Sequence, residues 1–301
     1  MSTFGSFDGT KITAAAVKSF LYDRGATVVG VAPAQRFNGA PAGHSATDCV
    51  PEAKSVIVMG VKLVSGIVNW PQLVWDNRRS TVVDCWRVYD HCGFDAVNMR
   101  LESIAMDLAI ALETAGNQAI FFPGSTDMTV TELNALRLYG NVAYPHPLDR
   151  EKIASIDARP ESSTQYQVPF SFRHAAVAAG LATFGANNLA LHPVFGPRVR
   201  FNVVITDVEL DHYDVPLNEP ICRYDKGCRA CIDTCPHGVF GEVGRFDFAG
   251  QSHPWAAMKS RCYYNSVPCG GICLQTCRAG SGDRAMKRAV LRRYPSTSES
   301  T

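Results

Sequence analysis

The chain has 301 residues, with 29 Lys and Arg against 28 Asp and Glu. A chain of this length holds one large domain or two ordinary ones. The balanced charge gives no global field that would attract nucleic acid or an anionic membrane. The N-terminus has no basic stretch followed by an apolar core, and no apolar run reaches the roughly 18 residues of a membrane span. The sequence therefore predicts a soluble, cytoplasmic protein without a membrane partner.

The first two thirds of the chain read as alternating helices and strands. Apolar residues at helical spacing predict a helix over 11–24, and a β-branched run predicts a strand over 26–31. Residues 55–63 form a near-continuous apolar run, which is typical of a central strand buried on both faces of a sheet.

The most regular helical pattern covers residues 90–115. Apolar residues recur every three or four positions from Val97 to Leu112, and Gly116 follows as a stop signal. Further apolar runs predict strands over 119–122 and 201–207. The alternation indicates an α/β sheet domain through residue 215.

The composition changes past Pro220, where cysteine, glycine and proline become frequent and regular periodicity fades. Eight of the eleven cysteines lie between Cys222 and Cys277. Clustered cysteines in a cytoplasmic chain favour metal binding over a disulfide framework. We therefore predict a second, smaller domain over 216–301 that is organised by a cofactor.

The first cysteine group contains most of a ferredoxin motif. Residues 228–236 read Cys-Arg-Ala-Cys-Ile-Asp-Thr-Cys-Pro, which supplies three of the four cysteines of the bacterial ferredoxin run. The usual first cysteine is replaced by Asp225, and Cys222 stands three residues earlier as its substitute. Structural zinc is the alternative, but it prefers two separated C-x2-C knuckles. The spacing therefore favours iron–sulfur clusters.

The second cysteine group extends this to two [4Fe–4S] clusters. In two-cluster ferredoxins the fourth cysteine of each run ligates the other cluster. The predicted ligands are Cys222, Cys228, Cys231 and Cys277 for one cluster, and Cys235, Cys262, Cys269 and Cys273 for the other.

Residues 171–207 carry a family resemblance. They begin Ser-Phe-Arg-His-Ala-Ala-Val-Ala-Ala-Gly and resemble the segment that precedes the ferredoxin domain in epoxyqueuosine reductases and reductive dehalogenases. Residues 49–58, Cys-Val-Pro-Glu-Ala-Lys-Ser-Val-Ile-Val, look like an opening strand of the same family. The entry at 170–176 is nearer the dehalogenase form. Members of the family use a corrinoid fed by two [4Fe–4S] clusters.

The resemblance implies a fold, two domains and a set of cofactor contacts. Residues 1–215 would form an α/β corrinoid-binding catalytic domain, an α+β sandwich of nitroreductase-like fold, and residues 216–301 a ferredoxin-like domain. The bound corrinoid would be cobalamin. Its predicted contacts are Ser171, Arg173, His174, Gly180, Gly185, Asn187, Asn188, Gly196, Arg198 and Arg200.

A proton donor is predicted just ahead of the long helix. Cleavage of a C–O or carbon–halogen bond needs a proton, and Tyr89-Asp90-His91 resembles, in a different order, the family's catalytic step. Tyr89 or Asp90 is the predicted donor. A helix cap for Asp90 and a buried core ring for Tyr89 are the structural alternatives.

The predicted function is a cobalamin-dependent iron–sulfur reductase that resembles epoxyqueuosine reductase. Its electrons would come from a low-potential ferredoxin- or flavodoxin-type donor. The basic segment 278–294 leans towards a tRNA substrate, because Lys and Arg pair with phosphates. Dehalogenation of a small molecule is the alternative within this class, and a non-enzymatic ferredoxin-type electron carrier is the alternative outside it.

Overall fold

The structure is a computed structural model of the full chain. The residues it describes are 7, 11–69, 88–124, 170–235, 238, 240, 243–256 and 271–280. Among the described helices, none is both long and apolar enough to span a membrane.

The secondary structure follows the chain as helices α1–α6 and strands β1–β8. The elements are α1 (Ala14–Asp23), β1 (Val28–Pro33), α2 (Ala46–Cys49), β2 (Ser55–Lys62), α3 (Ala96–Thr114), β3 (Ala119–Phe121), α4 (Phe172–Ala178), β4 (Thr183–Phe184), β5 (Ala190–Leu191), β6 (Val199–Thr206), α5 (Ala230–Asp233), β7 (Val243–Phe248), β8 (Gln251–Ala256) and α6 (Ile272–Thr276). A π-helix (Val88–Asp95) leads directly into α3, and 3₁₀ turns lie at Ala34–Phe37 and Tyr224–Lys226.

A four-stranded sheet forms the centre of the described structure. Its strand order is β1-β2-β6-β3, and every neighbouring pair is antiparallel. In the central pair, Val58 lies opposite Val203. Strands β2 and β6 are buried along almost their whole length, because β-branched side chains fill both faces.

The two faces of the sheet are covered by different elements. Ile57 and Met59 point to the face covered by α1 and α3, where Leu101 and Leu108 complete an apolar cluster. The alternate residues of β2 join a second cluster on the opposite face, which includes α4 and the rings of Phe170 and Phe184. The period-two alternation of a strand therefore divides one apolar run between two cores.

The mixed α/β class predicted from the sequence is confirmed, together with the strand over 55–63 and the helix over 90–115. The sheet is antiparallel although both faces are covered, an arrangement more usual for parallel sheets. The long helix does not begin at Asp90, since the π-helix carries the chain through that residue. The nitroreductase-like and ferredoxin-like assignments, and the boundary at 215, stay predictions.

One member of each cysteine group lies on a short helix, Cys231 on α5 and Cys273 on α6. Helices α5 and α6 contact each other, and the β7–β8 hairpin lies between them in sequence. That hairpin packs its Phe246 and Trp255 rings against Phe184 of β4. The cysteine region is therefore seated on the face of the sheet that carries α4.

Candidate metal centre

Four cysteines line one cavity at the junction of the cysteine region with the β4–β5 loop. They are Cys222, Cys228, Cys231 and Cys277, and the cavity has an empty volume of about 400 Å³ that is partly open to solvent. Their positions differ in the chain, since the first two flank a 3₁₀ turn, the third lies in α5 and the fourth directly follows α6. The structure thus brings together the four residues that sequence spacing predicts for one cluster.

Local turn chemistry explains why Cys222 and Cys228 meet. Gly227 ends the 3₁₀ turn with φ of +81°, a conformation that glycine adopts without a steric penalty. The N–H of Cys228 then donates to the carbonyl of Arg223 at 3.0 Å. This closes a loop of six residues and returns the chain to the cavity.

In each of the two cysteine-bearing helices, a threonine hydroxyl donates a hydrogen bond to the carbonyl four residues earlier. Thr234 donates from Oγ1 to the carbonyl of Ala230 at 2.6 Å, and Thr276 donates to that of Ile272 at 2.9 Å. The two hydroxyl oxygens lie 3.2 Å apart, which joins the helices at the sequence Cys-x-x-Thr-Cys that both contain. The ligand-bearing helices are therefore held side by side.

The cavity is unfavourable for free thiolates. Burial raises the pKa of the Cys231 thiol, and the neighbouring thiols of Cys277 and Cys222 raise it further. Burial also raises the pKa of Cys222, although the backbone N–H groups of Ala186 and Tyr224 donate to its sulfur and act in the opposite direction. Metal binding would displace the thiol protons and remove this cost.

This donor set fits a [4Fe–4S] cluster. A cubane takes one cysteine thiolate at each of four iron corners, so its ligands must surround a volume. All four cysteines line the same cavity. Within the part of the chain that the structure describes, no three His, Cys, Asp or Glu side chains converge closely enough to hold a single metal ion.

The second predicted ligand set is only partly described. Cys235 and Cys273 both pack against the buried Phe240. Cys262 and Cys269 lie outside the described residues. The two described members are thus close together, as a shared cluster requires.

The predicted corrinoid-binding arginines are engaged within the protein. Arg173 donates to the carbonyl of Asn188 at 2.6 Å. Arg198, only 1% exposed, donates to the carbonyl of Gln275 in α6 at 3.3 Å. Arg200 donates to Oδ1 of Asn98 at 2.6 Å. These side chains join structural elements to one another, and Arg198 in particular fastens α6 to the sheet region.

His174 lies in an aromatic cluster. Its Nδ1 is 2.7 Å from Oγ of Ser171, the residue that caps α4. Its ring contacts those of Phe184 and Phe248, with centroids 4.8 and 4.9 Å away. Burial lowers the pKa of His174 to about 4, with smaller contributions from the nearby charges of Arg173 and His253. The imidazole is therefore neutral at neutral pH.

The predicted glycines allow close contact between protein segments. Gly180 and Gly196 have positive φ, and a Cβ at either would lie 2.2 Å from a carbonyl oxygen, that of Val215 or of Ala279. At Gly185 a Cβ would lie 2.7 Å from Oδ1 of Asn187. The described members of the predicted corrinoid set thus contact the protein itself, and their contact with a corrinoid stays a prediction.

The predicted proton donors lie on the π-helix. Tyr89 is 9% exposed, belongs to an apolar cluster with Leu63 and Leu274, and has its hydroxyl close to Gly271 at the start of α6. The side chain of Asp90 lies outside the described part of the structure. π-Helical turns occur frequently at functional sites, and this one places Tyr89 beside the second cysteine group.

One buried polar residue has no counterpart in the sequence predictions. Asn69 is 1% exposed, and neither polar atom of its amide has a hydrogen-bond partner among the described residues. It follows Val68, which packs in the same apolar cluster as Tyr89. Nothing in the sequence distinguishes this asparagine from one on a solvated helix, because its burial depends on tertiary packing.

Comparisons with known proteins place the chain near one class of reductase. It is 29% identical over 150 residues to a tetrachloroethene reductive dehalogenase of Desulfitobacterium hafniense, a match that covers 45% of this chain and 26% of the relative. A reductive dehalogenase of the same name from Dehalobacter restrictus is 29% identical over 153 residues. The chain thus spans about a quarter of the curated relatives it matches. No protein-family model matches it.

Solved structures of reductive dehalogenases share the fold. One, described as suggesting a mechanism for B12-dependent dehalogenation, superposes with a TM-score of 0.56 at 17% identity, over 96% of this chain and 36% of its own. A catabolic reductive dehalogenase gives a TM-score of 0.54 at 18% identity, over 92% of this chain and 33% of its own. The family resemblance predicted from the sequence is therefore confirmed: part of the chain is similar in sequence to reductive dehalogenases, and the chain shares their fold.

Proposed function

We propose that this chain is an iron–sulfur-dependent oxidoreductase that delivers single electrons to a reductive bond cleavage. The observation that carries the proposal is the convergence of Cys222, Cys228, Cys231 and Cys277 on one cavity. The dehalogenase fold around that cavity supports an enzyme over a simple electron carrier, because the similarity extends over the sheet region as well.

The chain's own residues set the path of the electrons. Cys231 and Cys235 are four residues apart at α5, as are Cys273 and Cys277 at α6. In the proposed pairing, each of these two pairs of cysteines supplies one ligand to each cluster. The two clusters would therefore lie next to each other. A low-potential ferredoxin- or flavodoxin-type protein would donate the electrons.

Metal analysis of anaerobically purified protein tests the cluster proposal. We expect about eight iron and about eight acid-labile sulfide per chain, the content of two [4Fe–4S] clusters. Cys231→Ser should remove one cluster and leave the other. Cys92→Ser is the matched control, because Cys92 is exposed and distant in sequence from both groups, and it should keep both. Stoichiometric zinc in place of iron would contradict the proposal.

A corrinoid that would take the electrons from the clusters and pass them to the substrate is the finer part of the proposal. Its support is the family resemblance and the B12-dependent dehalogenase among the solved structures that share the fold. When bound, cobalamin supplies the chemistry of the reductive cleavage. Since the described members of the predicted contact set are engaged within the protein, binding must be measured directly. Failure of the cluster-loaded protein to bind cobalamin would favour the electron-carrier function.

A small organohalide is the substrate class that the comparisons favour. The relatives similar in sequence are named for tetrachloroethene. Solved epoxyqueuosine reductases superpose with TM-scores of only 0.37 to 0.38 and support no conclusion. Most of the basic segment 278–294 lies outside the described residues. Halide release from tetrachloroethene, compared with reduction of an epoxyqueuosine-containing tRNA stem-loop, distinguishes the two substrates.

We retain Tyr89 or Asp90 as the proton donor. The support is the position of Tyr89 on a π-helix beside α6, which carries Cys273. Tyr89→Phe or Asp90→Asn should abolish turnover while both clusters keep their spectra. If both variants turn over at the wild-type rate, the donor lies elsewhere.

A further inference from the structure

Asn187 lines the cavity formed by the four cysteines, although it is not one of the predicted metal ligands. It lies in the loop between β4 and β5, is 2% exposed, and contributes to the cavity wall together with Ala186 and Leu191. The family resemblance predicts that it contacts a corrinoid, and the structure places it in the wall of the four-cysteine cavity.

The orientation of the Asn187 amide follows from its one hydrogen bond. The backbone N–H of Leu189 points at the amide at 3.3 Å, and since an N–H can only donate, the atom facing it is the oxygen Oδ1. The planar amide then directs Nδ2 to the other side. Among the described residues, no acceptor lies within hydrogen-bond distance of Nδ2. A buried donor of this kind is costly unless a partner completes it.

The loop that carries Asn187 is held in one conformation. The N–H of Gly185 donates to the carbonyl of Leu189 at 2.9 Å, and that of Asn188 donates back to Gly185 at 2.8 Å. Asn188 has φ of +59° at the centre of this turn. Because a Cβ at Gly185 would collide with Asn187 Oδ1, glycine is required for the amide to lie where it does.

The same loop borders a ligand cysteine. Ala186, next to Asn187, lines the cavity together with Cys222. The loop therefore faces the cysteine ligands, and Asn187 supplies its side-chain donor.

We propose that Nδ2–H of Asn187 donates a hydrogen bond to a sulfur of the cluster bound by Cys222, Cys228, Cys231 and Cys277, and thereby raises its reduction potential. This rests on the proposed function. One-electron reduction adds negative charge to the cluster and its sulfurs. A fixed donor stabilises the reduced state more than the oxidised one, so hydrogen bonds to sulfur are a determinant of the potential.

Redox titration of the cluster-loaded full chain, followed by electron paramagnetic resonance, tests the proposal. Asn187→Leu removes both polar atoms, and Asn187→Asp keeps the shape but replaces the donor. Each should shift the potential of one cluster to more negative values. We expect a change of about tenfold in the oxidation equilibrium, which is about 59 mV for one electron. Asn117→Leu removes an amide at the end of α3 and should leave both potentials unchanged.

A second measurement detects the hydrogen bond itself. After exchange into deuterated water, electron–nuclear double resonance of the reduced protein should detect a deuteron coupled to the cluster that both Asn187 variants lose. Unchanged potentials and an unchanged deuteron signal would overturn the inference while leaving the proposed function intact. Loss of the cluster from both Asn187 variants, while the Asn117→Leu control keeps its clusters, would also overturn the inference. Asn187 would then be required for assembly of the cluster. Absence of iron from the wild-type protein would overturn the proposed function itself.

Discussion

The sheet region and the cysteine region are stabilised by different means. Around the sheet, two apolar clusters bury most of β1, β2, β6, α1 and α3. In the described residues beyond 220, the buried apolar side chains are only Ala230, Phe240, Pro254 and Leu274. Hydrophobic burial is the dominant favourable term in folding, and the described part of the cysteine region has little of it. We therefore expect its stability to depend on the thiolate bonds of the proposed clusters and on its contacts with the sheet region.

Removal of the proposed clusters should produce the largest difference in stability between the two regions. Protein stripped of iron by an anaerobic chelator should lose hydrogen-exchange protection in α5 and α6, while the amides of β2 keep theirs. The physical reason is that the thiols of Cys231 and Cys277 no longer hold the helices around the cavity. Equal protection of α5 and α6 in apo and loaded protein would show that the region folds without metal.

Truncation of a core side chain in the sheet region should have the opposite result, because it should destabilise the sheet region rather than the cysteine region. Leu108 of α3 is fully buried against the sheet, and Leu108→Ala should lower the free energy of unfolding by about 2–5 kcal/mol. Iron content per folded molecule should not change. Ile110, on the same helix but 44% exposed, provides the control, because Ile110→Ala should cost less than about 0.5 kcal/mol. Denaturant unfolding followed by far-ultraviolet circular dichroism measures both.

Acidification should weaken the contact between the regions. His174 packs between α4, β4 and the β7–β8 hairpin, with its folded pKa lowered to about 4 from an ordinary 6.5. The unfolded state therefore binds more protons between these values. The stabilising contribution is complete above pH 6.5 and is lost as pH falls towards 4, up to about 3 kcal/mol for the partly exposed ring.

Comparison of variants isolates this contribution. His174→Phe should flatten the pH dependence of the unfolding free energy between pH 6.5 and 4. An unchanged slope in His174→Phe would assign the acid sensitivity to other groups.

The sequence predicted those features that depend on a local hydrophobic period or on the spacing of cysteines along the chain. The strand over 55–63 and the helix over 90–115 follow from hydrophobic periodicity, and the grouping of Cys222, Cys228, Cys231 and Cys277 follows from the ferredoxin spacing. The hydrogen bond from Arg198 to Gln275 and the place of Asn187 in the cavity wall did not follow, because both depend on which backbone segments pack together in the fold. The predicted contact of these two residues with a corrinoid comes from resemblance along the chain and stays a prediction.

The smallest predicted effect lies at the paired threonines of the cysteine helices. Thr276→Val keeps the shape but removes the bond to Ile272 and the contact with Thr234. We expect a cost of about 1 kcal/mol, the usual net value of one hydrogen bond. It should appear as earlier release of iron during denaturant titration, with β2 still protected.

Thr114→Val is the matched control. Its hydroxyl makes the same bond, to the carbonyl of Ile110 at 2.7 Å, but at the end of α3 in the sheet region. It should not change iron release. The double variant Thr234→Val, Thr276→Val should cost less than the two single variants added together, because both remove the one contact that joins the hydroxyls. Strict additivity would mean that each threonine stabilises only its own helix, and that α5 and α6 are held together by the cluster ligands rather than by this pair.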